Sequence, residues 1–323
     1  MSVCRICQNA AANRPHRFRE MMFGTRDEFD YFECSKCGTL QISQFPDLAR
    51  YYPSDYYSYN AKPPELVDKW TTRFVARSSA KHFIGCGDFP GKALSEKKPW
   101  TRAHFPDYLC DSEMRLSLNS RILDVGCGNG ALLEVLQFYG FSNLTGVDAF
   151  IEGDSVKGSN IKIFKRDLND LDDHFDLIMF NHSLEHFTEP TRAIESAIGL
   201  LRPGGTCLVR IPVLAQAWKK YGGSWVQLDP PRHTFLFSET GFCELASKSG
   251  FVVRAIKYDS TAFQFWGSEM YESEVPLIDW INGDTEYLSR RFGEQSLANW
   301  DAKAAEWNKL HIGDQACFYL EKA

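Results

Sequence analysis

The segment 122–130, with the sequence ILDVGCGNG, constrains the fold of this 323-residue chain more than any other part. An aliphatic run that stops at Asp124 and continues into three glycines spaced GxGxG is typical of a buried parallel strand followed by a tight turn and a helix. Such a turn is a common binding place for a nucleotide-like cofactor. The sequence therefore predicts an α/β fold with a cofactor loop at Gly126, Gly128 and Gly130.

This glycine loop is compatible with two kinds of cofactor. Gly126, Gly128 and Ala131 also satisfy the dinucleotide pattern GxGxxG/A, with Asp148 about twenty residues further on for a ribose hydroxyl. The charge of Asp124 would repel a pyrophosphate but attract the sulfonium and ammonium groups of S-adenosylmethionine (SAM). We therefore predict SAM, and the alternative is an ordinary strand-to-helix turn in which Asp124 caps the helix.

The segments after this loop occur in the order that a SAM-binding sheet requires. Short apolar runs predict strands, and the first of them is followed by a helix. The predicted strands are 122–124, 144–147, 161–164, 175–180, 206–211, 251–258 and 316–320, with the first helix at 131–139. The turn LLRPGG at 200–205 leads into the fifth strand.

With these segments in this order, residues 108–323 resemble the class I (Rossmann-like) SAM-dependent methyltransferases. The resemblance implies a seven-stranded α/β sheet, preceded here by an N-terminal zinc ribbon and carrying an insertion before the last strand. It also implies which residues bind SAM. They lie in the glycine loop and at the acid before it, at the ribose-binding acid, at the adenine-contacting acid and its neighbour, and at the end of the fourth strand. These are Asp124, Gly126, Gly128, Gly130, Asp148, Asp167, Leu168 and Asn181.

Charge and hydropathy argue against membrane and nucleic-acid partners. The formal net charge is -6 and the pI is about 5.8, which disfavours a large electrostatic footprint on nucleic acid. No run approaches the roughly 18 apolar residues of a membrane helix, and the N-terminus lacks the apolar core of a signal peptide. We therefore expect a cytoplasmic enzyme that is neither secreted nor membrane-spanning.

Four of the ten cysteines form two CxxC pairs, Cys4 with Cys7 and Cys34 with Cys37. Four thiolates from two such turns make a closed tetrahedral site with no open position for a catalytic water, so the predicted Zn²⁺ is structural. The alternative is redox disulfides or incidental cysteines, which a reducing compartment disfavours. The other six are expected to be small buried apolar residues: Cys86, Cys110, Cys127, Cys207, Cys243 and Cys317.

These features divide the chain into a zinc-ribbon module at 1–60, a linker with N-terminal helices at 61–107 and the methyltransferase domain at 108–323. The ribbon has seven basic and seven acidic residues, which does not suggest a nucleic-acid ribbon. Tyrosines between 51 and 59 either stack on a sugar or base or, more simply, pack one domain on another. The aromatic-rich insertion at 260–312 has helical spacing and could form a lid, an acceptor wall or a dimer interface.

Methyl transfer from SAM mainly requires positioning, together with a base that takes a proton from the acceptor. His182, Glu185 and His186 spell HxxEH, which on a helix would be an inverted zincin motif. Here the motif directly follows a buried strand and no third ligand is assignable, so a catalytic metal is disfavoured. We expect a helix-start histidine that closes over the cofactor, or alternatively a structural one.

A second candidate base is His233, in the loop that follows the fifth strand. This loop is similar to that of the deoxysugar C-methyltransferases, which pair a four-cysteine zinc module with a class I domain and carry a Tyr-His-Glu-His element. His233 matches the last histidine of that element, the base there, whereas Pro230, Pro231 and Arg232 replace Tyr, His and Glu. These replacements argue against C-methylation by enolisation and favour His233 as a base for O-methylation. The alternative is a loop histidine that hydrogen-bonds a backbone carbonyl.

Arg232 has two possible roles. Its planar fork is suited to a phosphate or carboxylate on the acceptor, such as a nucleotide-linked sugar provides. It could equally form an ion pair with Asp229.

The sequence thus predicts methyl transfer to a hydroxyl or carbon of a small molecule: a sugar, nucleotide sugar, glycan or related metabolite. The alternative is an RNA methyltransferase whose zinc ribbon holds a stem-loop, which the acidity and the neutral ribbon disfavour. An inactive SAM-binding subunit would predict a damaged cofactor loop, and this loop is intact. A homodimer is compatible with the sequence.

Overall fold

The computed structural model describes residues 2–52, 62–87, 89–158 and 160–323, apart from the side chain of Ala49. The predicted aromatic stretch beyond Tyr52 lies outside the described residues.

Two sheets and a set of short helices make up the described chain. The strands are β1 (Arg14–Arg19), β2 (Glu28–Glu33), β3 (Leu40–Ile42), β4 (Arg121–Val125), β5 (Asn143–Val147), β6 (Ser155–Lys157), β7 (Ile161–Phe164), β8 (Phe175–Asn181), β9 (Leu201–Pro212), β10 (Phe235–Leu236), β11 (Phe251–Tyr258) and β12 (Gln315–Lys322). The helices are α1 (Trp70–Phe83), α2 (Phe89–Lys97), α3 (Trp100–Ala103), α4 (Ala131–Phe138), α5 (Pro190–Leu200), α6 (Gln216–Tyr221), α7 (Glu239–Lys248), α8 (Phe263–Glu272), α9 (Ile278–Ile281), α10 (Tyr287–Phe292) and α11 (Glu294–Lys309).

The larger sheet has the strand order β11-β12-β9-β8-β4-β5-β7-β6. Its centre is parallel: β4 pairs with β5 and β8, so that Ile122 lies opposite Leu144 on one side and Leu177 on the other. These strands are apolar on both faces because each face is covered, as in other parallel sheets. The predicted Rossmann-like sheet is confirmed.

Two details of this sheet differ from the prediction. An eighth strand, β6, pairs antiparallel with β7; it has three residues, with Ser155 and Val156 exposed, and so lacks an apolar signal. In addition, β9 begins at Leu201 rather than at residue 206, so the expected turn is the start of the strand. An ion pair between Arg202 and Asp176 at 3.1 Å links this start to β8.

The smaller sheet contains the N-terminal cysteine module and has the order β1-β2-β3-β10. Its first three strands form an antiparallel meander, whereas β10 arrives from a distant part of the sequence and pairs Phe235 with Gln41. Tyr31 and Leu40 from this sheet share a buried apolar cluster with Trp225 and Phe265. The module is therefore completed by residues far from the N-terminus.

The contacts divide the chain into two compact units, one of residues 1–52, 182–192 and 210–318, the other of 53–181, 193–209 and 319–323. β9 and β12 have residues in both units. The cysteine module belongs to the first unit because β10 and the shared core tie it to later residues. The segment 260–312 of this unit contains α8 to α11. Among the described helices, none is long and apolar enough to cross a bilayer.

Candidate functional site

The glycine loop between β4 and α4 is tightly bent. Gly126, Gly128 and Gly130 have φ angles of 76°, 52° and 82°, a left-handed conformation that glycine adopts without a steric penalty. A Cβ added to Gly130 would lie 2.4 Å from Cδ1 of Ile163. The loop therefore requires glycine both for its conformation and for its close approach to β7.

Two acids flank this loop. Asp148 accepts hydrogen bonds from the backbone N–H groups of Gly128 at 3.0 Å and Phe150 at 2.8 Å, so its carboxylate is held by the loop itself. Asp124 is only 3% exposed, and burial together with the charge of Asp148 raises its pKa to about 7. A bound cation stabilises such a carboxylate, which fits the sulfonium or ammonium group of SAM.

The other predicted cofactor residues lie at the carboxyl ends of neighbouring strands. Asp167 follows β7, accepts from the N–H of Asn169 at 3.0 Å, and begins a short 3-10 helix in which Leu168 is buried. Asn181 is the last residue of β8. Because the carboxyl ends of parallel strands meet at one sheet edge, the ends of β4, β5, β7 and β8 form the usual cofactor-binding position of an open α/β sheet. The individual contacts with SAM stay predictions.

In the first compact unit, the structure brings together all four predicted catalytic residues. The imidazole cluster, as we call it, consists of His182, Glu185, His186 and His233. The side chain of Glu185 is 1% exposed, with its Oε1 3.5 Å from Nδ1 of His182 and 4.0 Å from Nε2 of His233. The rings of His186 and His233 are 4.7 Å apart between centroids. Sequence reasoning anticipated these four residues but not their convergence.

Two of the histidines face backbone carbonyls through Nδ1. Nδ1 of His233 lies 2.7 Å from the carbonyl oxygen of Gln227, and Nδ1 of His186 lies 3.0 Å from that of Arg232 and 3.0 Å from the hydroxyl of Tyr52. Because a carbonyl oxygen only accepts, it favours a neutral ring with the proton on Nδ1 and the lone pair on Nε2. Burial and the neighbouring His233 lower the pKa of His186 to about 4, so this imidazole is neutral at pH 7.

The carboxylate of Glu185 is the group that the cluster surrounds. Neither of its oxygens has a hydrogen-bond partner among the residues that the structure describes. Burial acts to raise its pKa, but His182, His186 and His233 outweigh that effect and lower the pKa to about 2. Glu185 is therefore charged in the folded protein, in a place that water does not reach.

Arg232 is fully buried and its guanidinium is paired with two acids of the protein. It donates to Oδ1 and Oδ2 of Asp229 at 2.5 and 2.9 Å and to Oε1 of Glu20 at 2.7 Å. The structure thus corrects the expectation that Arg232 binds the acceptor and favours the ion pair with Asp229. Glu20 was missed because its burial depends on tertiary packing, and the only sequence signal is an acid beside the apolar pair Met21 and Met22.

The four cysteines of the CxxC pairs converge as predicted. Their sulfur atoms are 3.6 Å apart for Cys4 and Cys37 and 3.4 Å apart for Cys7 and Cys34. A zinc ion with Zn–S bonds of about 2.3 Å needs sulfurs about 3.8 Å apart, so the buried group fits Zn²⁺. The side-chain amide of Gln41 donates to the sulfur of Cys4 at 2.9 Å, as partners of metal-bound thiolates do.

The remaining cysteines are more varied than the sequence suggested. Cys207 and Cys317 are buried, as expected for small apolar residues, whereas Cys86 is exposed and the rest are partly exposed. The prediction is therefore wrong for Cys86, which lies just beyond the end of α1.

The sheet order, the glycine loop and the acids at the ends of β4 and β5 are those expected of a class I, Rossmann-like SAM-dependent methyltransferase domain. Residues 101–256 match the family model described as a methyltransferase domain. This part of the chain is therefore similar to that methyltransferase family.

Curated relatives align over about a third of the chain. A ubiquinone biosynthesis O-methyltransferase of Psychrobacter arcticus is 28% identical over 118 residues, which cover 32% of this chain and 44% of the relative. A protein of the same name from Coxiella burnetii is 32% identical over 108 residues, covering 29% of this chain and 44% of the relative. The chain thus spans less than half the length of these relatives.

Solved structures with partial similarity include a SAM-dependent methyltransferase from Mesorhizobium loti, with 16% identity and a TM-score of 0.41 over 65% of this chain and 95% of that one. The [4+2]-cyclase SpnF has 21% identity and a TM-score of 0.42 over 65% of this chain and 77% of that one.

Proposed function

We propose that this protein transfers the methyl group of SAM to a hydroxyl oxygen of a small molecule. The observation that carries the proposal is the pair of acids at an intact glycine loop, because buried Asp124 suits a cationic cofactor. In the reaction the acceptor oxygen forms a bond to the methyl carbon as the sulfur–methyl bond breaks, and the hydroxyl proton passes to a base. The names of the relatives support an oxygen acceptor.

The base that we propose is a histidine of the imidazole cluster. His233 is the base by resemblance, but its side chain is only 8% exposed and its Nε2 lies 4.0 Å from carboxylate oxygens of both Glu185 and Asp229. The side chain of His182 is 33% exposed, and its Nδ1 faces Glu185 at 3.5 Å. The carboxylate that faces Nδ1 attracts the imidazolium that forms when Nε2 takes a proton, so His182 is the better placed of the two.

The acceptor class rests on the resemblance to sugar and metabolite methyltransferases. A sugar, nucleotide sugar, glycan or related hydroxylated metabolite agrees with a net charge of -6, which does not favour a polyanion. For the cysteine group we propose a structural Zn²⁺, because four buried thiols leave no open coordination position.

The test is to incubate the purified protein with methyl-labelled SAM and separate pools of nucleotide sugars, phenolic and other hydroxylated metabolites, and total RNA. Label is expected in one of the small-molecule pools. The variant Asp124→Asn serves as the control, since it should bind SAM weakly and transfer little label to any pool. Label in RNA alone would support the alternative of a zinc-ribbon-assisted RNA methyltransferase and overturn the proposal.

A further inference from the structure

We propose that Glu185, His186 and His233 form a binding site for a divalent transition-metal ion. The site is separate from the four-cysteine group, and its existence does not depend on the methyl-transfer proposal. The ligand atoms are a carboxylate oxygen of Glu185 and one ring nitrogen of each histidine, which is Nε2 in His233.

The geometry of the three side chains suits a metal. One ligand atom from each lies within 4.8 Å of the others, and Nε2 of His233 is 4.0 Å from Oε1 of Glu185. Bonds of about 2.1 Å in a tetrahedral site place ligand atoms about 3.4 Å apart, so small side-chain rotations close the site. Two imidazoles and one carboxylate leave coordination positions open for further oxygen ligands.

A backbone carbonyl faces Nδ1 of each histidine and favours the tautomer that has its lone pair on Nε2. These carbonyls belong to Gln227, 2.7 Å from His233, and to Arg232, 3.0 Å from His186, whose Nδ1 also has the Tyr52 hydroxyl at 3.0 Å. Metal-binding histidines in proteins are commonly oriented in this way by a carbonyl at the other ring nitrogen.

Charge is the second independent reason. Glu185 is a fully buried carboxylate, and among the described residues neither oxygen has a hydrogen-bond partner. The neighbouring buried ions are Glu20, Asp229 and Arg232. Three carboxylates and one guanidinium leave a formal charge of -2 when the imidazoles are neutral, and a divalent cation compensates it. Buried charges without such compensation are costly.

The sequence disfavoured a metal at HxxEH because no third ligand was assignable. In the structure, Leu184–His186 is a short 3-10 helix rather than part of an α-helix, so His182 and His186 do not act as a helical pair. The missing ligand is His233, which the hydrogen bond from the backbone N–H of Thr234 to the carbonyl of Glu185 at 2.8 Å brings to the cluster. The open positions would take hydroxyl oxygens of an acceptor, a consequence that rests on the proposed function.

The experiment is a Co²⁺ titration of the full-length protein whose cysteine group is first loaded with Zn²⁺, followed by visible absorption and calorimetry without SAM or acceptor. Wild type should bind one Co²⁺ with the weak d–d bands of nitrogen and oxygen ligands. Glu185→Gln, which keeps the side-chain shape, and His233→Ala should each weaken Co²⁺ binding about 100-fold or more. His82→Ala, on α1, should bind as wild type does.

Thermal unfolding of each variant checks that it is folded. If His233→Ala is not folded, the Co²⁺ affinity of Glu185→Gln alone decides the test. Co²⁺ bound only with intense thiolate charge-transfer absorption would place it at the cysteines and overturn the proposal. No binding to the zinc-loaded wild type, or unchanged binding by Glu185→Gln, would also overturn it and leave histidine protonation as the compensation for Glu185. Because no turnover is measured, a failed methyl-transfer assay does not affect this result.

Discussion

The ionisation of Asp124 predicts that the affinity of the cofactor loop for SAM depends on pH. Its pKa of about 7 means that roughly half of the free protein has this group protonated at neutral pH. If SAM binds the ionised form, its affinity should rise as the pH increases and level off above about 7.5, falling about tenfold per pH unit well below the pKa. Calorimetric titration with SAM from pH 5.5 to 8.5 measures this.

The variant Asp167→Asn is the matched control for that titration, because Asp167 is exposed and lies at the end of a different strand. It should keep the pH dependence even if its affinity is lower. A SAM affinity that does not change between pH 6 and 8 in wild type would contradict the assigned role of Asp124.

The raised pKa of Asp124 has the opposite effect on the stability of the SAM-free protein, which it lowers as the pH rises. An acid whose pKa is about 3.8 unfolded and about 7 folded stabilises the fold while it is protonated, and this contribution is lost as the pH rises from the first value through the second. Asp124→Asn removes the buried charge, so it should raise the Tm of the SAM-free protein at pH 8 by about 5 °C and have little effect at pH 4. Calorimetric melts at the two pH values test this, and a lower Tm at pH 8 would disagree with it.

The variant His182→Ala tests whether His182 is the base that takes the acceptor proton. His182→Ala should lower kcat by about 10²–10⁴-fold while the Kd for SAM changes less than about twofold, because the base acts only on the acceptor proton. Steady-state kinetics and SAM titration of the same preparation separate the two effects. Turnover equal to that of wild type would move the base to His233, and His82→Ala should behave as wild type in both measurements.

At the scale of secondary structure, the cap of α7 links two distant segments. Oγ of Ser238 accepts from the N–H of Gly241 at 2.9 Å and donates to the carbonyl of Cys37. Ser238→Ala removes both contacts, so it should cost about 1–2 kcal/mol and lower the Tm by about 2–6 °C. Differential scanning calorimetry measures the change. Ser273→Ala, at an exposed hydroxyl after α8, is the control, and equal melting temperatures for the two variants would refute this role.

The elements that could be predicted from sequence are those whose own residues determine them. β4, β7 and β11 are continuous or alternating apolar runs bounded by polar or glycine residues, and the CxxC spacing alone predicted the cysteine site. β6 and β10 have three and two residues, and only their partners make them strands. The contacts of Glu185 with His233 and of Arg232 with Glu20 are equally dependent on the fold, so sequence reasoning identified most of these residues but not the sites that they form.

On the scale of the whole molecule, the cysteine module shares a core with much later residues. Tyr31 and Leu40 pack with Trp225, whose indole N–H donates to Asp314 at 2.9 Å. If the cysteine group holds the Zn²⁺ that we propose, its removal by a strong chelator should therefore disturb this core as well as the N-terminal strands and lower the Tm by about 10 °C or more. Tryptophan fluorescence and melting curves, with and without chelator, measure the effect.

The variant Cys7→Ser, which removes one thiolate, should reproduce the effect of the chelator without any reagent. Cys86→Ser is its control because that thiol is exposed and lies outside the module. An unchanged tryptophan spectrum in the zinc-free protein would mean that the module folds independently of the core around Trp225.

The pairing of β10 with β3 limits how this protein could be recombined with others. β10 begins two residues after His233, so a chimera that replaces residues 1–52 by another four-cysteine module would also lose β3, the strand that anchors the loop of that histidine. A functional exchange would have to transfer both segments together. The N-terminal module thus forms one structural unit with residues that follow it by almost two hundred positions.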